Sequence, residues 1–230
     1  MNNFEENVKH YIKVHEELHG LSTSIESIVK DLKNSFGYKE EDSIQKIKEI
    51  KNKEYGIIIG RFQPFTDGHN SIVQDIIRDG REPVIFMGSP YIDDKNPLNF
   101  EEKSKLVKML YPDIKIVKIQ DNDDWDEWFD NISSSMLSIA PKEKLYIYSH
   151  CKEIDKTNFE FCGKKYKDMH YTIMFKEHNF NIVKLNEVKC NLGEVVHASD
   201  VRKDEEKAKR NLDARIYRYL KDVKGWWECS

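Results

Sequence analysis

The chain changes its hydrophobic rhythm once, close to residue 54. Ahead of that point apolar residues recur three and four positions apart: Phe4, Val8, Tyr11, Ile12 and Leu18 form one stripe, and Leu21, Ile25, Ile28, Val29, Leu32 and Phe36 form a second. Spacing of that kind gathers the apolar side chains on one face of a helix, so both stretches predict amphipathic helices. Gly20 separates them, Thr23 with Glu26 fits a capping box at the second start, and Gly37 follows the last apolar residue, where a C-terminal cap belongs. A third short helix carrying Ile44, Ile47 and Ile50 is expected after Asp42. Residues 1–53, with two glycines and no proline, therefore read as a helical N-terminal extension. Its apolar faces could pack on the rest of the chain, pair with a second copy in a homo-oligomer, or bind a partner protein, and the sequence does not choose among these.

From Tyr55 onward the apolar runs are short and β-rich: "YGIIIG", "PVIFMG", "IKIVKIQ" and "KLYIYS". Between them lie stretches of helical spacing around 69–79, 99–110 and 125–139, and strand alternating with helix predicts an α/β domain with a parallel sheet over 54–230. The tail, from "YTIMF" and "NIVKLN" through "HASDVRKDEEKAKRNLDARIYRYLKDV", is expected to add one or two strands and then a terminal helical region.

Composition narrows the function classes. A formal charge of -4, from Lys+Arg 37 against Asp+Glu 41, with no segregated basic block, argues against a nucleic-acid binder. The apolar runs are too short to cross a bilayer and "MNNFEENVKH" lacks the apolar centre of a signal peptide, so a soluble cytoplasmic protein is expected. The four cysteines, Cys151, Cys162, Cys190 and Cys229, form no C-x-x-C pair and are expected to be free thiols. A zinc set of His150, Cys151, Cys162 and His170 matches no standard spacing, and no metal site made of protein ligands is expected.

The chemistry is concentrated in "GRFQPFTDGH", residues 60–69, between the first predicted strand and the helix that follows. A strand-to-helix turn presents unpaired backbone N–H groups, and glycine lets that backbone approach a ligand, so the turn is a candidate phosphate seat. Gly60 and Gly68 give the approach, Arg61 supplies a guanidinium fork, and Thr66 and His69 add side-chain donors. A chance strand–glycine–helix junction would need only one of these residues.

This run resembles the signature of the nucleotidyltransferase superfamily with its (H/T)-x-G-H motif. Its first half, "GRFQPF", looks like the nicotinamide mononucleotide adenylyltransferases of the archaeal type and their bacterial and phage relatives. "HASDVRKD" at 197–204 is similar to the family's second motif at a helix start, "NPLNFEEK" at 96–103 to its N-P-(F/L)-x-x-x-E-R segment, and "QDNDDWDEW" at 120–128 to its Asp…Trp stretch. The resemblance covers about 54–222 and implies a Rossmann-like nucleotidyltransferase domain. It implies that ATP and nicotinamide mononucleotide are joined to NAD and pyrophosphate, with Mg²⁺ carried by the ATP phosphates. The 5′-phosphate of the mononucleotide attacks the α-phosphorus of ATP; it is already ionised, so positioning and charge stabilisation are the enzyme's work and no general base is required.

Carried over residue by residue, the resemblance puts His69 on the α- or β-phosphate and Ser199 and Arg202 on the β- and γ-phosphates, with Thr66 as a further donor. Gly60, Arg61, Phe62, Gln63, Gly68 and Lys103 complete the ATP side. Trp128 would stack on the nicotinamide ring, and Asp121 would accept from its carboxamide or a ribose hydroxyl. Thr66 stands where this branch usually has a histidine, which loosens the substrate assignment; Lys103 stands where an arginine is usual and His197 where a serine is usual. Phosphopantetheine adenylyltransferases of the same superfamily carry threonine at the first of these places.

Plainer readings stand beside these. Trp125, Trp128 and Phe129 also fit a helix face turned to a core, Arg202 also fits a solvated helix charge, and His150, at the end of a predicted strand, also fits a structural hydrogen-bonder. Two further functions remain open at this level: transfer to another acceptor, such as a flavin, phosphopantetheine or a phosphoalcohol, and a non-catalytic ATP- or NAD-sensing module signalling through residues 1–53.

Overall fold

Three helices form from the first part of the chain, and their caps show why they stop where they do. In the computed structural model, which describes residues 3–19, 24–88, 91–150, 159–167, 170–186 and 197–227, α1 spans Phe4–His19, α2 spans Ile25–Phe36 and α3 spans Glu40–Asn52. The N-cap of α2 is Ser24, whose hydroxyl accepts from Ser27 N at 3.3 Å; Thr23, Gly20 and Leu21 lie outside the described residues. Gly37 ends α2 in the left-handed region at φ 69°, its N–H donating to Lys33 O. α3 begins at Glu40, ahead of Asp42, with Glu40, Glu41 and Asp42 in a first turn where negative charge suits the helix dipole. Val8, Ile12, Ile28, Val29, Leu32 and Ile47 are buried together, whereas Leu18 is 71% exposed and Phe36 44% exposed, so both stripes end short of the predicted length. Buried His15 places Nε2 2.9 Å from Asp31 Oδ2 within this bundle.

The chain divides into two compact units, residues 1–53 and 54–230. In the second, β1 (Tyr55–Gly60), α4 (Asp67–Arg78), β2 (Glu82–Gly88), α5 (Phe100–Leu110), β3 (Lys115–Ile119), α6 (Trp125–Leu137) and β4 (Leu145–His150) alternate as the sequence predicts. They are followed by β5 (Phe159–Phe161), β6 (Lys164–Tyr166), α7 (Thr172–Glu177), β7 (Asn181–Leu185), α8 (Ala198–Lys203), α9 (Glu205–Asn211), α10 (Ala214–Arg218) and a π-helical turn at Tyr219–Val223. The main sheet has the order β3-β2-β1-β4-β7, and every pairing in it is parallel. It is a Rossmann-like nucleotidyltransferase fold.

Successive residues of β1 point to opposite faces, and both faces are covered, which is why its apolar run is unbroken. Ile58 packs with Ile72, Val73 and Ile76 of α4, while Ile57 packs with Phe129, Ile132 and Met136 of α6 and Met174 and Phe175 of α7. Gly56 permits the close seating of α4, since a Cβ there would lie 2.3 Å from Ile76 Cγ2.

Of the one or two strands expected in the tail, β7 forms from "NIVKLN". "YTIMF" is not a strand: it leads into α7, because Tyr171, Met174 and Phe175 sit at i, i+3 and i+4 and turn together to one core, beneath the β-branched appearance of Thr172 and Ile173. The antiparallel β5–β6 hairpin was not anticipated; Cys162 (φ 49°) and Gly163 (φ 69°) supply the two positive-φ positions of its tight turn.

The chain leaves β1 for β2 and β3 on one side and returns to β4 on the other. The carboxyl ends of β1 and β4 therefore flank the point where strand order reverses, the crevice in which open α/β sheets bind ligands. "GRFQPFTDGH" begins there.

Candidate active site

The turn after β1 folds its two phenylalanines inward. Phe62 (φ 50°) and Phe65 are buried in the core, and their rings flank His69 with centroids 4.9 Å and 5.7 Å away. Gln63–Pro64 is a cis peptide bond, and Thr66 is the N-cap of α4. Thr66 N–H donates to His69 Nδ1 at 3.0 Å, and Thr66 Oγ1 lies 2.9 Å from the same nitrogen. A backbone nitrogen can only donate, so Nδ1 carries no proton; the Thr66 hydroxyl then donates to it as well, and the ring proton belongs on Nε2. Buried Thr66 thus turns its hydroxyl to His69. Phe62, expected at the nucleotide, turns its side chain into the core beside the imidazole. At Gly68 an added Cβ would meet only Thr66 Oγ1, at 3.6 Å, so no protein atom demands glycine there.

A second group of charges lies over the end of β2. Arg61 Nε and Nη2 donate to Asp121 Oδ2 at 3.0 Å and 2.9 Å, bridging the ends of β1 and β3. Gly88 lies close against both: a Cβ there would lie 3.0 Å from Asp121 Oδ1 and 3.4 Å from Arg61 Cγ, so the pair would have to give by a few tenths of an ångström. Beneath this pair Lys103 of α5 is fully buried and donates through Nζ to the Gly88 carbonyl. Burial pulls its ammonium down to about 8, with the Asp121 charge opposing and Arg61 and Lys118 adding to the shift. Lys103 therefore lies under the strand end, where the charges of Asp121 and Arg61 reach it. Asp121, expected to face the pyridine nucleotide, is engaged by Arg61.

Gln63 and Arg202 join three distant segments. Gln63, 4% exposed, donates from Nε2 to Leu98 O at 2.8 Å and accepts Leu98 N–H on Oε1 at 3.0 Å. Its side chain is thus turned to the protein. Leu98 precedes Asn99, the N-cap of α5, whose side chain and Glu102 form a reciprocal capping box. Arg202 Nη1 donates to Gln63 O, and burial lowers the pKa of this guanidinium while the Asp93 charge opposes the change. Half-buried Ser199 lies in the first turn of α8. Trp227 Nε1 donates to Val201 O and Arg202 O at 3.2 Å and 3.1 Å, holding the end of that helix, a contact that no motif signalled.

On the other side of β1, half-buried Trp128 makes edge contacts with Trp125, Tyr171 and Phe175, with centroids 5.5, 5.7 and 6.1 Å away. Tyr171 donates its hydroxyl to Ile59 O at 3.2 Å and lies 4.2 Å from the His170 ring. Tyr171 was not singled out in the sequence, where only the helical spacing of 171, 174 and 175 could have exposed it. His150 ends β4 opposite Leu185 of β7, at the same carboxyl edge of the sheet. Cys162 is an exposed free thiol, while Cys151, Cys190 and Cys229 lie outside the described residues. Among the described residues no group of three His, Cys, Asp or Glu side chains is placed to hold a metal ion, and no helix is long and apolar enough to cross a membrane.

Parts of the chain are similar to known proteins. A nicotinamide-nucleotide adenylyltransferase of Methanolobus tindarius is 43% identical over 60 residues, which are 25% of this chain and 35% of that protein. A nicotinamide/nicotinic acid mononucleotide adenylyltransferase of Acinetobacter baylyi is 39% identical over 56 residues, 24% of this chain and 30% of the relative. The matched stretch thus spans about a third of the length of these curated relatives. Two crystal structures of a bifunctional NMN adenylyltransferase/ADP ribose pyrophosphatase from Francisella tularensis, one complexed with AMP and a Mn ion, share the fold. Their TM-scores are 0.57 and 0.56 at 17% identity, covering 76% of this chain and 51% and 50% of theirs. The cytidylyltransferase-like family model matches residues 57–203, more than half of the 230-residue chain, and the chain belongs to that family.

Proposed function

We propose that this chain transfers the adenylyl group of ATP to nicotinamide mononucleotide, forming NAD and releasing pyrophosphate. The observation that carries the reading is the locked imidazole of His69. With Nδ1 accepting from Thr66, the ring carries its proton on Nε2, at the start of α4 and next to Gly68.

In this reading the nucleophile is a phosphate dianion and needs no base, so the side chains act on charge. His69 Nε2–H donates to the oxygen that gains charge as the α–β bridge breaks. Ser199 in the first turn of α8 and Arg202 in its last turn meet the departing pyrophosphate, and Arg61 adds its guanidinium where it can exchange Asp121 for a phosphate. Lys103 contributes from beneath Gly88 without touching the ligand. Trp128, backed by Tyr171 and Phe175, offers an aromatic surface to the pyridine ring. In this reading Mg²⁺ would be held by the triphosphate oxygens and would supply charge neutralisation there; among the described residues no group of three His, Cys, Asp or Glu side chains is placed to hold it. The 43% and 39% identities to proteins named as adenylyltransferases of pyridine mononucleotides support the acceptor, within the stretches they cover.

The test offers ATP and Mg²⁺ with nicotinamide mononucleotide, nicotinic acid mononucleotide, flavin mononucleotide and phosphopantetheine in turn, and measures pyrophosphate. Release with the pyridine mononucleotides is expected. Release only with one of the others would move the acceptor, and no release with any would leave a nucleotide-binding module.

A further inference from the structure

We propose that Gln63 is a positioning residue, one that sets Arg202 for the triphosphate by fixing the turn after β1 to the loop ahead of α5. This rests on the reading of Arg202 as a phosphate contact. At 4% exposure the Gln63 side chain cannot meet a ligand, and both ends of its amide are used on Leu98, donating to O at 2.8 Å and accepting from N at 3.0 Å. A free backbone segment is thereby held as a strand partner would hold it. The Gln63 carbonyl, on the same residue, accepts from Arg202 Nη1. A guanidinium is a rigid planar fork, so anchoring one nitrogen orients the plane and hence the nitrogens left for an anion. Gln63 therefore links the segments 60–69, 96–103 and 197–204 at one point, and a shift of its peptide moves Arg202 with it.

Substitution can reverse one half of this clamp. In Gln63→Glu an ionised oxygen would face the Leu98 carbonyl where a donor stood, while the protonated carboxyl would restore the donor. Burial against a carbonyl raises the pKa of such a group, so the clamp should return as pH falls. Gln63→Leu removes both bonds at every pH and leaves the Leu98 N–H and C=O unsatisfied.

The experiment titrates the full chain with a non-hydrolysable ATP analogue and Mg²⁺, and separately with nicotinamide mononucleotide, across pH. Each variant's affinity is expressed relative to wild type at the same pH, with thermal melting as the check on folding. For the ATP analogue, Gln63→Glu should bind about 10-fold weaker than wild type near pH ~8.5 and recover to within about 3-fold near pH ~5.5, the size of one hydrogen bond lost and regained. Gln63→Leu should be about 5- to 10-fold weaker at every pH, and the mononucleotide affinity of both should stay within about 2-fold of wild type. A flat Gln63→Glu ratio, wild-type ATP affinity in Gln63→Leu, or equal losses for both nucleotides would overturn this role while leaving the nucleotide site standing. If Gln63→Glu fails to fold at high pH, the contrast between the two nucleotides in Gln63→Leu decides. Absence of analogue binding in the wild type would overturn the nucleotide-site reading, and this role with it.

Discussion

His69 is held from three sides: Phe62 and Phe65 flank its ring and Thr66 engages Nδ1 twice. His69→Ala should lower kcat for adenylyl transfer by about 10²- to 10³-fold while weakening ATP binding only moderately, as for loss of one donor aimed at developing charge. Steady-state kinetics with pyrophosphate detection check this, and near-wild-type turnover would remove the turn from the chemistry. Lys103 carries a different signature. Its pKa falls from 10.5 to about 8 on folding, so between those values the unfolded chain holds more protons and stability rises with pH. Melting curves at several pH values should show wild type gaining on Lys103→Met as pH climbs from about 8 toward 10.5, and a constant difference would contradict the buried ammonium. The residue types of this site were legible in "GRFQPFTDGH", but their directions were not. A sequence names Thr66, Phe62 and Gln63 on one turn without saying that all three side chains turn to the protein.

At the scale of elements, β1 to β4 and the helices between them could be read because long periodic segments with both faces buried leave little ambiguity. The failures share a cause: α7 and the β5–β6 hairpin are short, and a run of a few apolar residues fits either period. That matters for function, since α7 provides the wall behind Trp128. Trp128→Ala should raise KM for nicotinamide mononucleotide more than KM for ATP, because stacking acts on the acceptor ring in ground and transition states alike. An equal rise for both substrates, accompanied by a lowered Tm, would identify Trp128 as a packing residue of the α6–α7 contact.

For the whole molecule, every residue assigned to the reaction lies at or beyond Gly60, and residues 1–53 bury their own core of Val8, Ile12, Ile28, Val29, Leu32 and Ile47. Deleting residues 1–53 should therefore preserve adenylyl transfer per folded molecule. A soluble, folded truncation without turnover would mean that the extension builds or closes the site. The proposed transfer forms one bond at the α-phosphorus of ATP and breaks one to the departing pyrophosphate. Its most direct test supplies the full chain with Mg²⁺, nicotinamide mononucleotide and ATP labelled at the α-phosphate, and follows where the label goes. The label should appear in the dinucleotide, with unlabelled pyrophosphate released in equal amount, and His69→Ala should slow both together. Label remaining in ATP, or recovered in AMP with no dinucleotide formed, would contradict it.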